Sequence, residues 1–354
     1  IPDLKEQGFH GLKPKSRNLT FSIIHSAHVV NYMLGILIGS YLFQQGQITI
    51  GTVFLIVNYI AVINEPIQQL RIQIKTLQSA TASIHRLQEL FTVKNSVTSG
   101  SEKLMFKDKP SVTFKNVSFG YNESETVLHD VSFTVKPGQK LGLVGRTGSG
   151  KTTISKLLFR LYDPDEGEVQ LDGRDIRTFE LHNLRRSIGL VTQEVEIFEA
   201  TVRDNVTFFN REISDGQILT AFEQLNLTPW FLKLPNGLDT QLTADGHTLS
   251  AGEAQLLAFT RVFLQNPKIV ILDEASSRLD LLTEHLISHA IQALLHNRTS
   301  IIIAHRLKTL AHVDNILILA NGKTLEYGPY SELANDEQSH FSTLLHTALR
   351  EERI

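Results

Sequence analysis

The hydrophobic pattern changes character once along this chain. From Asn18 through Asn64 there is no Asp, Glu, Lys or Arg, a run too long for an ordinary core helix and about twice the ~20 residues that one membrane crossing needs. The polar turn Gln44-Gln45-Gly46-Gln47 divides it into two apolar spans, at about 19–43 and 52–72, the second passing through Glu65-Pro66. Ile67, Leu70, Ile74, Leu77, Ile84, Leu87 and Leu90 then recur at helical spacing among Gln, Ser, Ala and Thr. The second helix is therefore expected to adjust or kink at Pro66 and run on to residue 91 as a stalk. Residues 92–110, polar and containing Gly100 and Pro110, read as a linker.

From Ser111 the pattern becomes short alternations and short apolar runs. VTFKNVSFGY and VLHDVSFTV are strand-like, Pro137-Gly138 turns the chain into a strand over Lys140–Val144, and a helix is expected over Thr152–Leu161. Lys268–Leu272 and Thr299–Ala304 are short, β-branched and flanked by helical stretches, as buried parallel strands are. The soluble part thus reads as α/β with an antiparallel β addition at its front.

Charge orients the apolar half. Lys13, Lys15 and Arg17 precede the first span and Arg71 and Lys75 follow the second, which places both outer ends in the cytoplasm and the glutamine turn outside. His25, His28 and Asn31 form one polar stripe on the first span. Hydrogen bonding between helices explains such a stripe more simply than a substrate path. Two internal spans also argue against a cleaved signal peptide. With no initiator methionine before Ile1, the chain is expected to begin inside a longer protein.

Composition adds bounds rather than chemistry. The 354 residues suffice for about two domains, and a formal net charge of −3 gives no reason to expect a nucleic-acid partner. No cysteine is present, so disulfides and thiolate metal sites are excluded. The 14 histidines are scattered singly rather than at zinc spacing. A mean hydropathy of −0.05 averages two unlike halves.

Chemistry enters at Leu141–Thr153, LGLVGRTGSGKTT, which fits G-x-x-x-x-G-K-[ST]. Gly145, Arg146, Thr147, Gly148, Ser149 and Gly150 would wrap backbone N–H groups around a phosphate, and the helix beginning near Gly150 adds its positive end. Lys151 would neutralise the terminal phosphates, the Thr152 hydroxyl would ligate Mg²⁺, and Thr153 completes the loop. In IVILDEASS, a strand ending in Asp273 would present a carboxylate to Mg²⁺, and Glu274 could orient or deprotonate an attacking water. In TLSAGEAQLL, a Ser-x-Gly turn opening a helix is an anion site, although alone it would read as a helix cap.

Phosphate loop, then Leu-Ser-x-Gly, then strand-Asp-Glu, then one His after another strand is the order of ATP-binding cassette (ABC) proteins, and over 112–330 this sequence resembles them closely. Leu249-Ser250-Ala251-Gly252-Glu253 resembles their signature, usually Leu-Ser-Gly-Gly-Gln, with Ala251 and Glu253 departing from it. The resemblance implies that Ser250 and Gly252 cap an ATP held by an opposite subunit and that Tyr121 stacks on adenine. It also implies that Gln193 reaches Mg²⁺ and the attacking water, and that His305 contacts the γ-phosphate. Ser277-Arg278-Leu279-Asp280 matches the loop after the catalytic Glu except at Arg278.

With the hairpin, the whole resembles the carboxyl-terminal part of an ABC exporter half-transporter. The implied fold is a transmembrane hairpin with a cytoplasmic stalk (residues 1–91), then an ABC-type P-loop domain over 111–345 and a tail over 346–354. That domain combines a RecA-like mixed sheet with an antiparallel β subdomain and a helical subdomain. The implied function is ATP-driven export, with ATP and Mg²⁺ bound at the interface of two cassettes and the transported substrate unspecified. The implied setting is a bacterial plasma membrane, with the cassette in the cytoplasm and the lipid bilayer as a partner. Ala251, Glu253 and Arg278 favour a heterodimer over a homodimer. A soluble or peripheral ABC ATPase acting as a mechanical module is the alternative, opposed by the uncharged run 18–64. A P-loop kinase would have no signature loop.

Overall fold

The computed structural model describes residues 14–92, 95–104, 106, 108–122, 124–192, 194–243, 249–273, 281–304, 310 and 312–351. The chain separates into two compact units at Asn95/Ser96.

The first unit is a pair of helices, α1 (Pro14–Gln44) and α2 (Ile50–Thr92). Gly46, at φ 66°, turns the chain, its N–H donating to the Phe43 carbonyl. Thr49 then receives the Thr52 N–H on its hydroxyl as α2 begins. The helices run antiparallel through two glycines one turn apart. Gly39 lies against Val53, and a Cβ on Gly35 would sit 2.4 Å from Ile60 Cδ1. Small residues at such spacing let helix backbones approach closely. Most large apolar side chains on both helices, Leu37, Phe54 and Tyr59 among them, face outward.

Helix α2 is unbroken across Pro66 and has 43 residues, about 65 Å at 1.5 Å per residue. A window of it reaches a mean hydropathy of 1.6, enough by length and composition to cross a membrane. Toward its end Thr76, Thr81 and Ser83 donate back to the carbonyls of Ile72, Leu77 and Ser79, so these hydroxyls are satisfied within the helix. The side chains of His25 and His28 lie outside the described residues; Asn31 is exposed.

The second unit has two sheets. β1 (Val112–Asn122) and β2 (Glu125–Val135) form an antiparallel pair, and β4 (Glu166–Leu171) and β5 (Arg174–Asp175) complete a sheet of order β2-β1-β4-β5. β3 (Lys140–Gly145), β6 (Ile188–Val191), β7 (Ile269–Asp273), β8 (Thr299–Ile303), β9 (Asn315–Ala320) and β10 (Lys323–Pro329) form the other, of order β10-β9-β3-β8-β7-β6. All its pairs are parallel except β9 with β10. The helices are α3 (Lys151–Leu158), α4 (Leu181–Ser187), α5 (Val202–Thr207), α6 (Asp215–Gln224), α7 (Thr228–Phe231), α8 (Ala251–Gln265), α9 (Leu281–Leu295), α10 (Tyr330–Asn335) and α11 (His340–Glu351).

The continuous apolar runs of β7 and β8 follow from burial on both faces. Ile269, Ile271, Ile301 and Ile303 join Leu141 and Leu143 in a core with Phe114, Phe133 and the α3 residues Ile154, Leu157 and Leu158. Val270, Leu272 and Ile302 enter a second core with Phe222, Trp230, Phe259 and Leu294 from α6, α7, α8 and α9. Helix α3 therefore sits between the two sheets, with its amino end at the carboxyl end of β3. It stops at Leu158 rather than Leu161, because Arg160 takes a left-handed φ of 52°. The buried Arg160 guanidinium donates to Asp163 and to the Thr98 carbonyl.

That last bond belongs to a wider attachment. Gly100 N–H donates to the Phe179 carbonyl and Glu102 N–H to that of Thr178, while Glu180 N–H donates to Glu102. Residues 98–102, within the stretch read as linker, are thus tied to 178–180 and Arg160, and the second unit takes in the chain from Ser96 on.

Candidate functional site

The turn between β3 and α3 is shaped by positions that admit no side chain. A Cβ on Gly145 would lie 2.4 Å from the Leu319 carbonyl oxygen, and one on Gly150 would lie 2.5 Å from Leu128 Cδ2. Gly150, the cap of α3, is left-handed at φ 101° and offers no side chain to the first N–H groups of the helix. Uncapped donors at a helix start, with the dipole behind them, make an anion site.

The remaining loop residues agree with that chemistry. Arg146, Thr147 and Gly148 are exposed, and the space beside Gly148 is open. Ser149 Oγ is buried without a hydrogen-bond partner, a costly state for a hydroxyl unless a ligand completes it. Lys151 as a residue is only 6% exposed, and its ammonium donates to the carbonyls of Gly145 at 2.7 Å and Arg146 at 3.0 Å. It is held at the rim of the loop, where a phosphate oxygen would exchange for a carbonyl. Thr152 is exposed and Thr153 is buried. These groups suit a phosphate at the loop.

Tyr121 closes one side. Its hydroxyl lies 3.1 Å from Thr153 Oγ1, Lys156 Nζ stands 5.1 Å over its ring, and Phe119 and Tyr162 each meet it edge to face while tilting against one another. Tyr121 as a whole remains 40% exposed. Asp273 ends β7, and α3 packs against both β3 and β7. Asp273 and the amino end of α3, which carries Thr152, therefore lie at the carboxyl end of the parallel sheet. Gln193, Glu274, Ser277–Asp280 and His305 lie outside the described residues.

Ser250 and Gly252 open α8. Ser250 caps the helix, its Oγ accepting from Glu253 N–H at 3.3 Å. Glu253 returns the favour, with Oε2 accepting from Ser250 N–H at 2.7 Å and from Ser250 Oγ at 2.8 Å. Its other oxygen accepts from Trp230 Nε1 at 3.1 Å. The departure from the signature pattern at Glu253 thus has an intramolecular partner set. A Ser followed three residues later by Glu is a capping-box signal. Trp230, in contrast, is a partner that only the tertiary structure brings there.

Arg261 is the structural residue that sequence reasoning missed. Its guanidinium donates to the carbonyls of Asn205 and Glu196 at 2.8 Å and to Asn205 Oδ1 at 3.0 Å, and it faces the rings of Phe198 and Phe208. Burial lowers its pKa from the usual arginine value, yet the group stays protonated at neutral pH. It fixes the segment that follows position 193. A lone cation in the apolar run LLAFTRVFL was the available signal.

Residues 128–277 match the model of the ABC transporter family. An uncharacterized ABC transporter ATP-binding protein of Bacillus subtilis is 35% identical over 315 residues, covering 88% of this chain and 52% of the relative. An ATP-dependent lipid A-core flippase of Saccharophagus degradans is 38% identical over 289 residues, covering 82% and 49%. The ATP-bound structure of a bacterial Atm1-family ABC exporter superposes with a TM-score of 0.69 at 32% identity, covering 94% of this chain and 59% of that one. The chain spans about half the length of the curated relatives it matches. The loop geometry, the two-sheet fold and these similarities place the chain in the ABC transporter family, as a segment that carries its ATP-hydrolysing domain.

Proposed function

We propose that this chain is the carboxyl-terminal part of an ATP-driven export subunit in a bacterial plasma membrane, with its nucleotide-binding domain in the cytoplasm. What carries the reading is the uncapped amino end of α3 behind a glycine turn, on the same chain as a helix long and apolar enough to cross a bilayer. Two such subunits would close head to tail on two ATP molecules, each phosphate loop facing the partner's signature turn. Gly145–Thr153 hold the triphosphate, Lys151 neutralises its terminal groups and Tyr121 stacks on the base. Thr152, Asp273 and Gln193 hold Mg²⁺, which offsets phosphate charge. Glu274 orients the attacking water and accepts its proton, and His305 contacts the γ-phosphate. The stalk in α2 and the segment fixed by Arg261 are the routes by which closure would reach the membrane helices.

The test is steady-state ATP turnover of the complete subunit in lipid. Glu274→Gln and Ser250→Ala are each expected to abolish most of it. Full turnover in Ser250→Ala would favour an enzyme without a signature site. Extraction by carbonate without detergent would favour a peripheral module. The heterodimer rests on Ala251, Glu253 and Arg278 alone. Normal hydrolysis by the purified chain with no second kind of subunit would overturn it.

A further inference from the structure

We propose that Glu253 is a positioning residue that restrains the signature turn, withholding the Ser250 hydroxyl from an incoming triphosphate and thereby setting the ATP concentration at which two cassettes close. The inference rests on the dimer reading above and adds a residue to it. Both side-chain oxygens of Glu253 are engaged: one holds the Ser250 N–H and hydroxyl, the other holds the Trp230 indole N–H. In this arrangement the Ser250 hydroxyl proton points to a carboxylate. A phosphate can receive that proton only after the hydroxyl turns away from Glu253.

Charge works in the same direction. An anion at the third position of α8 complements the helix dipole in the free subunit and repels a second anion arriving at the same helix end. A glutamine could not reproduce the bonding, because all three donors need acceptors and glutamine offers a single oxygen. Kept toward Ser250, its amide nitrogen would meet the Trp230 N–H donor to donor; flipped, it would meet the Ser250 N–H. Trp230 is buried at 5% exposure, in edge-to-face contact with Phe222, so the indole is a fixed post against which the carboxylate is braced.

Two variants of the complete subunit in lipid separate carboxylate from brace. Glu253→Gln removes the charge and leaves no rotamer that satisfies all three donors, so the hold on the hydroxyl is weakened. Trp230→Phe removes only the indole donor and leaves the carboxylate on Ser250. Glu253→Gln is expected to lower KM for ATP about threefold to tenfold with kcat within about twofold, while Trp230→Phe leaves KM within about twofold of the parent. An unchanged or raised KM in Glu253→Gln overturns the proposal. So does an equal fall in both variants, which would assign the effect to loosening of α8. Lys151→Ala, run alongside, tests the underlying reading: if it keeps the parent's turnover, the dimeric ATP site itself fails, whatever Glu253 does.

Discussion

The Tyr121 hydroxyl and the Thr153 hydroxyl lie 3.1 Å apart, joining the end of β1 to the first turn of α3. An aromatic residue at the close of a strand is thereby held beside the phosphate loop while staying exposed. Two roles can be separated by substitution. Tyr121→Phe loses the bond to Thr153 but keeps the ring, and its apparent affinity for ATP is expected to stay within about threefold of the parent. Tyr121→Ala loses the stacking face, worth about 1–3 kcal/mol per base, and is expected to weaken ATP about tenfold. Equilibrium binding of a fluorescent ATP analogue measures both. Equal losses in the two variants would show that the hydroxyl, and not the ring, matters.

The helical pair gives a prediction that does not involve nucleotide. A Cβ on Gly35 would fall 2.4 Å from the Ile60 Cδ1, so that Ile60 must turn aside for any side chain there, whereas Gly51 has nothing nearer than the Thr49 hydroxyl at 3.7 Å. Gly35→Leu should force the helices apart and destabilise the unit by about 1–3 kcal/mol. Gly51→Ala should be neutral or slightly stabilising, because alanine favours helix over glycine. Thermal melts in one detergent compare them, and a Gly35→Leu melting temperature equal to the parent's would contradict the packing described.

Much of this was legible in the sequence, and the exceptions have physical causes. The parallel strands β3, β7 and β8 stood out because burial on both faces demands unbroken apolar runs, and the phosphate loop because its glycines are sterically required. The β9–β10 hairpin was not singled out, yet Asn321-Gly322 between ILILA and KTLEY is a two-residue turn with φ 49° and 74°. Asp172-Gly173, at 48° and 75°, does the same between β4 and β5. Both were readable as hairpin turns. The attachment of residues 98–102 was not readable, since it depends on backbone groups of 178–180 and on the distant Arg160. The Glu253–Trp230 bond joins residues 23 apart in sequence, and no local pattern announces it.

Arg261 links three backbone or side-chain acceptors on either side of Phe198. Arg261→Leu removes the donors and leaves the carbonyl and amide oxygens of the buried Asn205 without this partner, at an expected cost of about 2–5 kcal/mol. Arg261→Lys keeps the charge but cannot span all three acceptors, so it should recover only part of the loss. Chemical denaturation of the detergent-solubilised subunit reads this directly. Full recovery by lysine would mean that charge, rather than the guanidinium fork, holds the segment.

Ser149 offers a prediction in which stability and binding move in opposite directions. Its hydroxyl is buried and without a partner in the free loop, whose other polar groups are engaged or exposed. Removing an unsatisfied buried hydroxyl relieves a penalty of about 1–3 kcal/mol, less whatever packing the oxygen supplies. Ser149→Ala should therefore melt at or above the parent temperature without nucleotide. If the hydroxyl is completed by a bound phosphate, the same variant loses a charge-assisted bond when ATP arrives, and the upward shift in melting temperature on adding ATP should be smaller than the parent's. Melting curves with and without ATP, recorded on both proteins, give four temperatures. A variant that is less stable without nucleotide but gains the full shift with ATP would show that the Ser149 hydroxyl supports the loop itself and takes no part in holding phosphate.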